Sequence, residues 1–190
     1  MTNLVTVEEY KEAEGITSVK EDLRLATLVE SVSQLVKTYC GNSIIDYYST
    51  NKTEYFNIDF STNLVQLTES PLNTVVSVEE RDSPTASYLV LDDSTDYYVD
   101  TTTDSIMLHS RPFKRGYGSV KVVYTAGYSE CPADLKLAIF DLITYYLKDE
   151  HKERRTLAGA TVQNQASTTQ RNNVAFPDHI KRVLDLYKNF

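Results

Sequence analysis

Apolar residues recur at helical spacing in two stretches of this chain and alternate at strand spacing between them. Leu25, Leu28, Val29, Val32, Leu35, Val36 and Tyr39 fall on one stripe of a 3.6-residue repeat. Leu135, Ala138, Ile139, Leu142, Ile143 and Tyr146 make a second. Ser18-Val19-Lys20-Glu21 reads as a capping box ahead of the first stripe, and Cys40-Gly41-Asn42 closes it. Pro132 stands at a first helical position, where its missing N–H costs nothing. The spacing therefore predicts helices over 18–40 and 132–150. Thr6-Val7-Glu8-Glu9 is a further capping box and opens a short helix over 6–14 that Gly15 ends. Each N-cap of this kind is worth about 1 kcal/mol.

Between the striped helices the texture is that of strands. Tyr55–Phe60, Leu64–Leu67, Val75–Val78, Tyr88–Leu91, Tyr97–Val99, Ile106–Leu108 and Val120–Tyr124 are short and apolar or alternating. Glu69-Ser70-Pro71, Asp82-Ser83-Pro84 and Asp92-Asp93-Ser94 punctuate them. This is an antiparallel β region with tight connections over about 52–126. Its last strand runs Val122-Val123-Tyr124-Thr125-Ala126 into Gly127-Tyr128, then into the helix that Cys131-Pro132-Ala133-Asp134 opens.

From Arg155 to Ala175 the chain is polar, mostly uncharged and without a clear period. A segment of that length with no structure of its own is usually functional or disordered. Pro177-Asp178 then starts a last helix with a small apolar face of Ile180, Val183, Leu184 and Tyr187. The expected fold is α+β: a small helical bundle, with two long helices plus short terminal ones, carrying an inserted antiparallel β region. Residues 1–154 form the expected single domain, and 155–190 an extended arm with a short docking helix. A helix that short is unstable alone and gains order by docking. Arg155, Arg171, Phe176, Ile180, Val183, Leu184, Tyr187 and Phe190 are its candidate docking residues.

Charge changes the picture by its placement. The formal net charge is −8 over 190 residues. Between Ser61 and Ile106 nine acids face Arg81 alone, whereas Met107 to Lys121 holds Arg111, Lys114, Arg115 and Lys121 with no acid. An acidic surface repels a phosphate backbone, so sequence-specific DNA binding is not expected. No apolar run is long enough to cross a bilayer. The N-terminus lacks a basic segment followed by an apolar one, so no secretory signal is expected. Cys40 and Cys131 form no CxxC pair and are expected reduced and buried.

Candidate chemistry is sparse. Asp92 to Asp96 resembles a calcium loop only at its start, since Tyr97 stands where the central glycine belongs and Thr103 where the closing glutamate belongs. His109, His151 and His179 are scattered, with no partner at zinc spacing. GxSxG, Walker and HExxH patterns are missing. No catalytic, metal or cofactor residue is assigned.

Two features bear on partners instead. Arg111, Phe113, Lys114, Arg115 and Tyr117 lie in a glycine-containing connection between two predicted strands. They form either a basic, aromatic loop that touches DNA or an acidic neighbour, or a solvated hairpin end. The fourteen tyrosines include the pairs Tyr47-Tyr48, Tyr97-Tyr98 and Tyr145-Tyr146. One member of each pair can face outward, where tyrosine favours interfaces.

The order of these parts resembles the head-tail connector (adaptor, or head completion) proteins of tailed bacteriophages. The likeness rests on the short helix Thr6–Ala13, the long helix Ser18–Gly41 ending in Tyr39-Cys40-Gly41, and the β excursion Lys52–Tyr128. The Pro132–Tyr146 helix and the closing Phe176–Tyr187 segment complete it. The resemblance implies a non-enzymatic virion protein without cofactors, made in the bacterial cytoplasm. It implies a homo-oligomeric, usually dodecameric, ring beneath the portal protein. Tail or nozzle components dock below, double-stranded DNA passes through on packaging and ejection, and no membrane is involved. The terminal helix would meet the portal rim or an adjacent subunit. A tail-completion or tail-tube adaptor is the alternative from the same setting. A small soluble enzyme or ligand-binding domain is the alternative from another class.

Overall fold

The structure is a computed structural model that describes residues 2–148, 154–157, 160–163 and 176–188. The described residues fall into two compact units. One is helical, from Asn3–Cys40 and Cys131–Lys188, and the other is a β unit from Gly41–Glu130.

In the helical unit, α1 (Val7–Glu14) starts at the expected capping box, Thr6 Oγ1 accepting from Glu9 N and Glu9 accepting from Thr6 N. Gly15 ends it in the left-handed region at φ 66°. Helix α2 spans Asp22–Cys40 and buries Leu25, Val29, Val32, Val36 and Cys40, as the stripe predicts. It starts at Asp22, not at the predicted Ser18. The Ser18 hydroxyl instead accepts from Lys20 N in a local turn. The physical reason is that Val19, the one apolar residue of the predicted first turn, is 73% exposed, so that turn buries nothing. Helix α3 (Ala133–Leu147) buries Leu135, Ala138, Ile139, Leu142 and Ile143 and is capped at Lys148; predicted positions 149–150 lie outside the described residues.

Helix α4 (Asp178–Asp185) packs on α2 and α3 of its own chain. Lys11 is paired with Asp22 at 2.7 Å and Lys136 with Glu9 at 2.7 Å, joining α1 to its two neighbours. The segment expected to lack structure contains an antiparallel strand pair, Arg154–Leu157 with Ala160–Gln163. Periodicity over four residues is too short a signal to find such strands, and their Thr and Val content is the cue that remains.

All seven strands predicted in the β unit are present. They are β1 (Lys52–Ile58), β2 (Leu64–Gln66), β3 (Leu72–Glu80), β4 (Leu89–Val90), β5 (Tyr97–Asp100), β6 (Ser105–Leu108) and β7 (Gly116–Ala126). The pair in the arm becomes β8 (Arg154–Leu157) and β9 (Ala160–Gln163). A four-stranded sheet runs β1-β7-β3-β4 and a three-stranded sheet β2-β6-β5, with each neighbouring pair antiparallel. Their inward positions share one core of Val65, Leu72, Val78, Ile106, Leu108, Phe113, Val122 and Tyr124. The α+β class, with antiparallel sheets inserted between helices α2 and α3, is thus as expected.

Candidate functional site

The basic connection before β7 is the first candidate, and the structure divides its residues. Phe113 is 2% exposed and belongs to the core of the β unit. Arg111 donates to the carboxylate of Glu80 at 2.6 Å, and Lys114 N donates to the same carboxylate at 3.0 Å. Glu80 is 1% exposed, so it is a buried charge that these two donors satisfy. The Glu80 hydrogen bond raises the pKa of Arg111, which stays protonated. Lys114 Nζ pairs with Asp82 at 2.9 Å. These three residues therefore fasten the connection to its own unit. Arg115 and Tyr117 remain, Arg115 exposed and Tyr117 73% exposed.

Tyr117 is held out by a rigid support. It lies between Gly116 and Gly118, both at positive φ, 144° and 55°. Arg81 donates through Nε to the Gly118 carbonyl at 2.9 Å and through a terminal nitrogen to the Tyr117 carbonyl at 3.1 Å. Tyr88 Oη donates to the Gly118 carbonyl at 2.6 Å, and Gly118 N donates to Asn57 Oδ1 at 2.7 Å. The Arg81 guanidinium also stacks over the Tyr88 ring, 4.8 Å from its centroid. A side chain at Gly118 would run into Arg81. This clamp was not read from the sequence, although Arg81 as the lone base among nine acids was its signal.

The second candidate is the terminal helix. Phe176, Ile180 and Leu184 are buried in the helical unit at 8%, 1% and 0% exposure. The Phe176 ring meets Tyr39 edge-on at 4.9 Å. Tyr39 Oη donates to Asp185 at 2.6 Å, and Tyr187 Oη donates to Asp134 at 2.6 Å. The Tyr187 bond holds the Asp134 carboxyl below its usual range. Val183 is half-buried, and Arg155 lies in β8. Arg171 and Phe190 lie outside the described residues. The apolar face of α4 is thus occupied by its own chain, leaving the exposed Arg182 and the 77% exposed Leu186 on the outside.

Burial governs the remaining groups. Cys40 and Cys131 are free and buried, and burial raises their thiol pKa values to about 11 and about 12. Neither is a candidate nucleophile at neutral pH. Among the described residues no three His, Cys, Asp or Glu side chains are grouped to hold a metal ion. No described helix is long and apolar enough to cross a membrane. Of the tyrosine pairs, Tyr97 is buried at 5% and Tyr98 exposed at 53%, the outward placement the pair predicts; Tyr48 is also outward at 48%.

A helical unit with an antiparallel β insertion defines an α+β module, and comparison with known proteins gives its family. The model of the family described as Head completion protein matches residues 3–190. The chain belongs to that family. It is 21% identical over 193 residues to the head completion protein of Escherichia phage T5, covering 97% of this chain and 98% of that one. Its fold is similar to a chain in the neck of an empty GTA (gene transfer agent) particle computed with C6 symmetry. That match has a TM-score of 0.62, 14% identity, and 98% and 90% coverage of the two chains. A chain in the neck of the native particle, computed with C12 symmetry, matches with a TM-score of 0.60, 15% identity and 100% and 96% coverage. The resemblance to head-tail connector proteins read from the order of the sequence elements is borne out.

Proposed function

We propose that this protein is a structural subunit of the junction between a phage head and its tail. Copies of the chain form a closed ring, of twelve subunits, between the portal and the tail components, and the genome passes through its bore. The observation that carries this reading is the match of the head completion family along residues 3–190, with the T5 relative covered over 98% of its length. The C6 and C12 symmetry of the necks that hold similar folds supports a ring of six or twelve copies.

The charge distribution supports a bore that does not hold DNA. Three of the four bases between Met107 and Lys121 are already neutralised within the chain, Arg111 by Glu80, Lys114 by Asp82 and Lys121 by Glu79. A wall with few free cations offers little counterion release to a passing duplex. Deleting the gene tests the role. The reading expects DNA-filled heads without tails, restored to infectivity by adding the purified protein. Normal tailed particles from the deletion would overturn it.

A further inference from the structure

We propose that the ring closes by seating Arg115 and Tyr117 of one copy in a groove beside β3 of the next copy. This rests on the ring reading above and names the residues that make its lateral contact. The groove follows from the sheet order. β3 is nine residues long, but β4 pairs only with its last two, Glu79 and Glu80. Among the described residues no strand lies beside Leu72–Ser77 on that side. The ladder with β7 is also broken there, since Val76 is skipped between the pairs Val75↔Tyr124 and Ser77↔Val123. A bulge at an open edge leaves backbone groups and side chains available to a partner.

A groove of about 350 Å³ lies along this edge. Val75, Val76, Val90 and Leu91 line it together with Asp92 and Asp93. Val76 and Val90 are 55% and 70% exposed. Such a site takes an apolar ring with a cation next to it. Neither aspartate is ion-paired among the described residues: Asp92 accepts from the neutral Ser94 and Thr95, and Asp93 is exposed.

The chain offers the matching knob. Tyr117 projects from the start of β7, which Arg81, Tyr88 and Asn57 fix in place, so little order is lost when it docks. Arg115, two residues away, is the one base of its basic stretch without an acid partner among the described residues. Knob and groove stand apart along the sheet of one copy. Val90 pairs with Glu79, which pairs with Lys121, four positions along β7 from Tyr117 and roughly 13 Å at about 3.3 Å per residue, and Val75 pairs with Tyr124, seven positions and roughly 23 Å away. The proposed contact is therefore between one copy's knob and another copy's groove. A contact between two different patches is head-to-tail, and such contacts generate rings when the rotation closes.

The test uses the full chain and two variants at exposed positions, a knob variant (Arg115→Glu with Tyr117→Ala) and a groove variant (Val76→Asp with Asp93→Arg). Circular dichroism melts confirm that each remains folded. Sedimentation velocity then reads assembly. The expected result is that the wild type forms rings and each variant alone associates at least tenfold more weakly. Mixing the two should restore pairs, one intact knob in one intact groove, that do not grow to rings. Wild-type rings with equally good rings from either variant would overturn this contact and leave the ring reading standing. If the wild type assembles only on the portal, the same comparison is made there, and a wild-type chain that stays monomeric both alone and with the portal assembly would overturn both.

Discussion

Gly127 sits against Ile44: Tyr128 N donates to the Ile44 carbonyl at 2.8 Å, and a Cβ at Gly127 would overlap that carbonyl oxygen. Gly127 is at φ 97°, which only glycine adopts freely, and Ile44 itself is at a strained φ of 69°, so the two lock together where β7 ends. Gly127→Ala combines a steric overlap with a disfavoured φ. It should cost about 3 kcal/mol or more, visible as a fall of roughly 10 °C in the melting temperature. An unchanged melt would mean that the Ile44 turn moves aside freely.

Helix α4 is part of the helical unit and covers Cys40, whose Sγ lies 3.6 Å from the Leu184 carbonyl. Leu184→Ala removes a side chain with no exposure and should cost roughly 2–5 kcal/mol. Ending the chain before Phe176 should leave Cys40 open to a thiol reagent at pH 8, whereas in the full chain it should react only as fast as the protein opens. Equal labelling of Cys40 in both proteins would show that α4 does not seal it.

Glu80 gives a sharper mutational contrast. It is buried, while Arg111, its partner, is 44% exposed at the side chain. Arg111→Ala would leave a buried carboxylate with only the Lys114 N–H, and it should cost about 2 kcal/mol, less than the 3–5 for a fully buried pair. Glu80→Gln in the same background should recover part of that loss, because it removes the stranded charge. Denaturant titration of the single and double variants reads both effects.

Acid should destabilise the β unit through Glu54. Burial alone would raise its pKa, but hydrogen bonds from Lys52 and Thr68 prevail, and the folded value lies below the ordinary 4.5. A depressed carboxylate contributes stability that is fully present above its unfolded pKa. That contribution is lost as the pH falls from 4.5 through the folded value. Melting temperature should thus be flat from pH 7 to about 5 and decline below, with a shallower decline in Glu54→Gln. Identical acid limbs in the two proteins would remove Glu54 as a source.

The parts that the sequence made legible are those where burial enforces a period. Val29, Val32 and Val36, and Leu135, Ile139 and Leu142, were placed because one face of each helix must be dry. Strands β1 to β7 were found because turn residues cut a β-rich region into short runs. The start of α2 was misplaced because a capping pattern at Ser18 carries no information about burial of Val19. The partner candidates were harder. Phe113 and Leu184 look the same in sequence whether they pack inward or meet another protein, and both pack inward. The open edge of β3 was invisible because it depends on β4 being only two residues long, a property of strand pairing and not of composition.

The central claim is that this chain is a ring-forming subunit of the head-tail junction. The most direct measurement is the mass, by light scattering, of the species formed by the purified protein alone and after mixing with the portal assembly of the same particle. The account predicts a ring, either preformed or built on the portal, whose mass is that of the portal plus twelve copies of a 21.6 kDa chain. A monomer that ignores the portal at every concentration would contradict it.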